Sequence, residues 1–445
     1  MIRGRSSSLA ADAFQALWFG QTISSLGTQV SMVALPLIAV LALKAGPLEL
    51  GVLAALETVP YLVLSLPAGV VVDRVDHRAT MIACDVGRAV TLFLAAAAIP
   101  LGILSIGLLY AVALAVGALS VFFNVACTSY LAAILPTERL VAGNQRLEVS
   151  DSGARVAGPS IGGAVLAAAG AAAVLSLDGL SYAISALAIA GSRRPAAANR
   201  PRTDRPTGSA FVHEMGEGLR RVLGDRILRD LAGSTAVFNL GSGMVLAVVV
   251  LFATRDVGIG AAEFGLIYGV GNIGFIVGAL SVGALSRRLG VGRTFLWSNY
   301  LGALAMTLIA LAGGALGVAC LLAGRFVGAV SAPLFNVNVV SLRQARTSDA
   351  FMGRVNATFQ FIEWGTLPVG SLLGGLIGAA LGARVALDVA AVCGIVSAVW
   401  IHLSPARRLT MLAEAEPASD MGSPVGSGQP GREEPAPLLE PPMVA

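Results

Sequence analysis

Long apolar runs, roughly a dozen of them, follow one another along the 445 residues of this chain. Each reaches the ~20 residues that a helix needs to cross the hydrocarbon core of a bilayer. The connections are mostly too short to fold on their own. The pattern predicts spans at about 14–43, 48–72, 80–101, 105–135, a fifth beginning near 150, then 171–191, 231–253, 262–285, 294–312, 316–340, an eleventh beginning near 355, and 385–403. Two amphipathic stretches interrupt the series, PTERLVAGNQRLEV at 136–149 and the segment 210–223, and both read as helices lying at the membrane surface.

Composition agrees with a chain that lives in lipid. It is 56% hydrophobic and only 13% charged, where a soluble domain carries about one quarter charged residues, and its mean hydropathy is +0.79. The formal charge of +4 is no sign of nucleic acid, because no basic and aromatic residues interleave as a nucleic-acid groove requires. The arginines instead fall on one set of alternate loops: the N-terminus, Arg74 and Arg78, Arg139 and Arg146, the segment 193–230, Arg287 to Arg293, Arg343 to Arg354, and Arg407. Lys44, Arg255 and Arg384 are the basic residues of the other set. Both termini are therefore expected in the cytoplasm of a bacterial cell, with the chain in its cytoplasmic membrane. The expected organisation is a six-helix bundle at 1–192, a cytoplasmic loop at 193–230, a second six-helix bundle at 231–404 and a disordered tail at 405–445, rich in Pro, Gly, Ser and Glu.

Chemistry of other kinds lacks its parts. His77, His213 and His402 fall in loops or at helix ends. There is no H-E-x-x-H, no G-x-S-x-G and no phosphate-cradling G-x-x-x-x-G-K. Cys84, Cys127, Cys320 and Cys393 lie singly in apolar stretches and read as packing residues. No enzyme activity, metal or cofactor is expected.

The second half repeats the first. An offset of 214 carries Gly51 to Gly265, Gly69 to Gly283 and Arg74 to Arg288. An offset of 212 carries Gly158, Gly162, Gly163 and Gly170 to Gly370, Gly374, Gly375 and Gly382, and Asp151 to Glu363. Gly158, Gly162 and Gly163 clear a helix face for close packing, and Pro159 loosens the local hydrogen bonding. Acids inside spans are functional candidates by default. Glu57 is expected about six residues from the outer end of its span. Asp151 has Arg155 four residues on to neutralise it, whereas Glu363 has no such neighbour. Asp85 and Arg88 are expected to pair near the cytoplasmic end of the third span, and Asp178 to lie near an interface.

The loop GVVVDRVDHR, with Gly69, Asp73, Arg74 and Arg78, resembles the loop between the second and third helices of the major facilitator superfamily of secondary transporters. LWFGQTISSLG at 17–27, ILPTERLVAGNQ at 134–145 and the stretch 351–375 resemble the branch that holds macrolide-efflux proteins and the enterobactin exporter. The chain departs from that pattern at Asp76 and His77, at Thr28 where many members have an acid, at Ala154, and in having no arginine in the fourth span. The resemblance implies an all-α polytopic membrane protein of the major facilitator fold, with 12 transmembrane helices in two pseudo-symmetric bundles, acting as a monomer by alternating access. It further implies proton-coupled export of a small amphipathic molecule, with uptake of a metabolite or a non-transporting receptor as the alternatives. Asp73 would gate the cytoplasmic side with Arg354. Glu363 or Glu57 would carry the proton, with Asp151 and Arg155 as further candidates. Gln29, Asn124, Arg325, Asn336 and Trp364 would line the cargo cavity.

Overall fold

The computed structural model describes residues 2–72, 74–192, 208–347 and 349–409, and the regular structure among them is helical throughout. Helices are what a chain in lipid must form, since each satisfies its backbone polar groups internally. The order is α1 Ile2–Leu41, α2 Pro47–Val72, α3 His77–Ala98, α4 Ile106–Ile134, α5 Thr137–Gly191, α6 Gly208–Gly224, α7 Arg226–Arg255, α8 Ala261–Gly271, α9 Ile273–Leu289, α10 Val291–Ala310, α11 Gly317–Arg346, α12 Asp349–Leu381 and α13 Ala383–Leu403. Among the described residues, ten stretches are long and apolar enough to cross a membrane. One of them, Ala142–Gly191, reverses direction at Gly170 and so makes two passes. With α10 added, the helices supply the twelve crossings of a major facilitator protein.

Gly170 holds φ 79 and ψ 179, a backbone state that favours glycine. Its repeat partner Gly382 turns α12 into α13 with φ 99. The stretch 136–149 is not a separate surface helix: α5 runs from Thr137 through it and past Pro159 into the membrane, keeping helical backbone angles until Gly170. The eighth span, expected as one helix, is α8 and α9 joined at Asn272. Large apolar side chains face outward, among them Leu187 and Leu403, as lipid contact requires.

The first five helices pack mainly on one another, and so do α7 to α13. Two seams join these groups, α2 against α12 and α5 against α8. A Cβ on Gly51 would collide with the backbone of Ser371 and Gly375, and one on Gly163 with the backbone of Ala261 and Gly265. The seams are thus equivalent under the repeat, since Gly51 corresponds to Gly265 and Gly163 to Gly375. Neighbouring glycines serve packing within each half: Gly158 and Gly162 lie on α1 at Gln29 and Val30, and Gly370 and Gly374 on α7 at Leu240 and Met244. At the end remote from the arginines, the Arg255 guanidinium donates to the carbonyls of Lys44 (3.3 Å) and Ala45 (3.0 Å), tying α7 to the α1–α2 turn.

Candidate functional site

A cavity of about 430 Å³ opens among α7, α10, α11 and α12, with Met32 of α1 and Tyr268 of α8 completing its wall. Phe238, Phe335, Phe359 and Met306 make much of it apolar. Phe238 stacks on Phe335 with centroids 5.4 Å apart. The amides of Asn239, Asn336 and Gln360 add hydrogen-bonding capacity. Three charged side chains line it, Arg325, Arg343 and Glu363. This is the usual composition of a small-molecule site, an apolar wall with a few convergent polar groups.

The charges differ in their surroundings. The Arg343 guanidinium lies 5.1 Å from the Phe359 ring centre and has the Glu363 carboxylate as its nearby opposite charge. Arg325 lies 4.6 Å from the Tyr268 ring centre, and its Nη2 donates to Asn272 Oδ1 at 2.6 Å. The same Asn272 donates through Nδ2 to the Arg155 carbonyl at 2.5 Å, so the break between α8 and α9 links the cavity to the other half. A second, larger cavity of about 870 Å³ lies between the halves, lined by Gln21, Asn124, Asn144 and Asp151 on one side and Phe275 and Leu280 on the other.

A family model described as transmembrane secretion effector matches residues 4–425. The chain belongs to this family of the major facilitator superfamily. It is 28% identical to the multidrug efflux pump Tap of Mycobacterium tuberculosis over 435 residues, 92% of this chain and 97% of Tap. It is 25% identical to the MFS-type transporter YfiS of Bacillus subtilis, over 86% of each chain. Among solved structures it resembles the nucleoside transporter NupG, with a TM-score of 0.70 at 14% identity over 88% of this chain and 99% of that one. It also resembles a bacterial homologue of the iron transporter ferroportin in its inward-facing state, with a TM-score of 0.68 at 16% identity over 88% and 98%. The protein is a transporter of the bacterial plasma membrane with the major facilitator fold.

Within that fold the sequence-predicted residues separate. Arg325, Asn336 and Glu363 meet in the first cavity. Asn124 and Asp151 line the second, where Asp151 pairs with Arg155 at 2.7 Å. Gln29 and Trp364 line neither. Gln29 is buried against Gly158, because the glycine brings α5 onto the α1 backbone. Trp364 stacks on Tyr61, 4.9 Å between centroids, across the α2–α12 seam. Glu57 stands well inside α2, a helix that begins at Pro47. Its backbone meets α4 at Gly117.

The gating motif is only partly described, since Asp73 lies outside the described residues. Gly69 lies in the last turn of α2 and Arg74 is exposed in the turn that follows. Arg78 has a capping role: its guanidinium donates to the carbonyls of Ile189 (3.1 Å), Ala190 (2.7 Å) and Ser192 (3.0 Å) at the end of α5. Such carbonyls have no partner inside their own helix. Arg354 pairs at 2.6 Å with Glu217 of α6.

Two further expectations are corrected. Asp85 and Arg88 do pair, at 2.5 Å, but midway along α3 instead of near its end. Asp178 is buried, accepting from the hydroxyls of Ser31 and Ser181, so it is a core residue and not an interfacial one. Asn272, Tyr268 and Arg343 were not singled out from sequence. Asn272 left a signal, an amide between glycines in an otherwise apolar run, GVGNIGF.

Proposed function

We propose that this transporter is a proton-coupled exporter of small amphipathic or hydrophobic compounds. It works as a monomer whose arginine-rich loops and both termini face the cytoplasm. The observation that carries this reading is the mixed cavity, in which aromatic and methionine side chains surround a few amides and Glu363. A wall of that kind suits bulky amphipathic cargo better than a sugar or phosphate, and Tap, similar along nearly its whole length, is named a multidrug efflux pump.

Coupling needs a group that takes up a proton on one side and releases it on the other, and a carboxylate removed from water can do so. Glu363 is first choice because it faces both the cavity and Arg343, and Glu57 is second. Asp151 is held by Arg155 and ranks lower. The seam glycines act as pivots, and Gly69, Asp73, Arg74, Arg78 and Arg354 belong to the cytoplasmic closure. The test is efflux of fluorescent amphiphiles from sealed vesicles under an imposed proton gradient, with and without a protonophore. Gradient-dependent efflux that Glu363→Gln uncouples is expected. Full coupling in Glu363→Gln overturns the assignment of Glu363, and flux indifferent to the protonophore overturns proton coupling.

A further inference from the structure

We infer that the cavity holds an anion subsite at Arg325, so that the cargo it prefers is an amphiphile bearing a carboxylate or similar negative group. This rests on the cavity being the cargo site. The inference starts from an unmatched charge. Of the three charged side chains in the cavity, Arg343 and Glu363 face one another. Among the described residues Arg325 has no carboxylate in ion-pair contact: its neighbours are the Asn272 amide oxygen, the Tyr268 ring face and, farther off, the like charge of Arg155, which is itself paired to Asp151. Its Nε–H is out of solvent with no hydrogen-bond partner among the described residues. A cation kept in the interior of a membrane protein is costly unless a counter-charge and hydrogen bonds compensate it. An amide oxygen and a ring face compensate only in part, so the missing carboxylate must come from a ligand.

The space is built for this side chain. A Cβ on Gly271 would collide with Cβ and Cγ of Arg325, so only glycine there lets the arginine lie along α8 towards Tyr268 and Asn272. The guanidinium offers a planar fork that carboxylates accept in pairs, a geometry lysine cannot supply. The apolar wall of Phe238, Phe335 and Met306 would then hold the rest of the molecule.

The test uses the full-length protein in lipid nanodiscs and three probes of one shape: 11-(dansylamino)undecanoate, its methyl ester and the matching dansylated alkylammonium. Binding is read by dansyl fluorescence. The native protein is expected to bind the carboxylate at least tenfold more tightly than the ester or the ammonium. Arg325→Gln should erase that margin by weakening carboxylate binding at least tenfold. Gly271→Ala, which displaces the guanidinium but keeps its charge, should narrow it, and this variant serves if Arg325→Gln does not fold. Equal affinities for carboxylate and ester in the native protein, or an unchanged margin in the variants, overturn the anion subsite and leave the cavity as cargo site. Failure of the native protein to bind any of the three overturns both.

Discussion

The two halves descend from one pattern, yet they bury their polar chemistry in opposite ways. In the first half Arg88 is sealed between the rings of Phe123 (4.4 Å) and Tyr182 (4.1 Å) and paired to Asp85, with Gly20 and Ser185 packed alongside. The repeat carries Gly20 to Ser234, Asp85 to Asn299 and Ser185 to Ser397. In the second half those three residues form a neutral buried network, in which Asn299 Oδ1 accepts from Ser234 at 3.1 Å and from Ser397 at 3.0 Å. Phe123 corresponds to Phe335, and Arg88 to Gly302. Both Phe335 and Gly302 line the cavity. Where the first half has an arginine filling the space beside the phenylalanine, the second has a glycine with the Phe238 ring packed against it and the cavity beyond. The seams kept their glycines in both halves while the cores diverged, one into a rigid charged plug and the other into a pocket.

The sharpest way to break this comparison is to remove the plug's charge. Arg88→Leu leaves Asp85 buried without its partner and is expected to cost about 3–5 kcal/mol, read as a large fall in the thermal unfolding midpoint in detergent. Asp85→Asn combined with Arg88→Leu should recover most of that loss. A single Arg88→Leu variant as stable as the native protein would show that the plug is not structural. In the second half Asn299→Ala removes the amide oxygen shared by two serine hydroxyls, which still bond to one another and to the Ser234 carbonyl, and should cost less, about 1–3 kcal/mol. A fall equal to that of Arg88→Leu would remove the asymmetry. Gly302→Leu would collide with the Phe238 ring and push it into the cavity, weakening amphiphile binding roughly tenfold, or about 1.4 kcal/mol, as measured by fluorescence titration. Unchanged affinity would place the cargo elsewhere. Leu187→Ala, on an outward apolar face, should shift the unfolding midpoint least, by the equivalent of about 0.5 kcal/mol or less.

Much of the architecture was legible in the sequence, because span length and glycine spacing are one-dimensional signals. Gly163 and Gly375 could be matched through their offset, and their places on the two seams follow from the same repeat. Depth and facing were not legible. Arg88 and Asp178 looked peripheral by position along their spans, but their rings and hydroxyls come from other helices, Phe123 of α4 and Ser31 of α1, which no local pattern announces. Trp364 was read as cavity lining from its chemistry, while the tight α2–α12 seam places it on Tyr61. Arg325 and Asn336, both named as cavity candidates, line the first cavity, but the break at Asn272 that touches Arg325 belongs to another helix.

The central claim is that the halves must part at the ends remote from the arginines for cargo to cross. In a background lacking Cys84, Cys127, Cys320 and Cys393, Lys44→Cys and Arg255→Cys put thiols on both sides of the contact between the α1–α2 turn and α7. Joining them with a short, reducible bis-methanethiosulfonate should leave amphiphile binding intact, abolish vesicle transport, and allow transport to return on reduction. Transport that continues at the native rate in fully cross-linked protein would contradict the account.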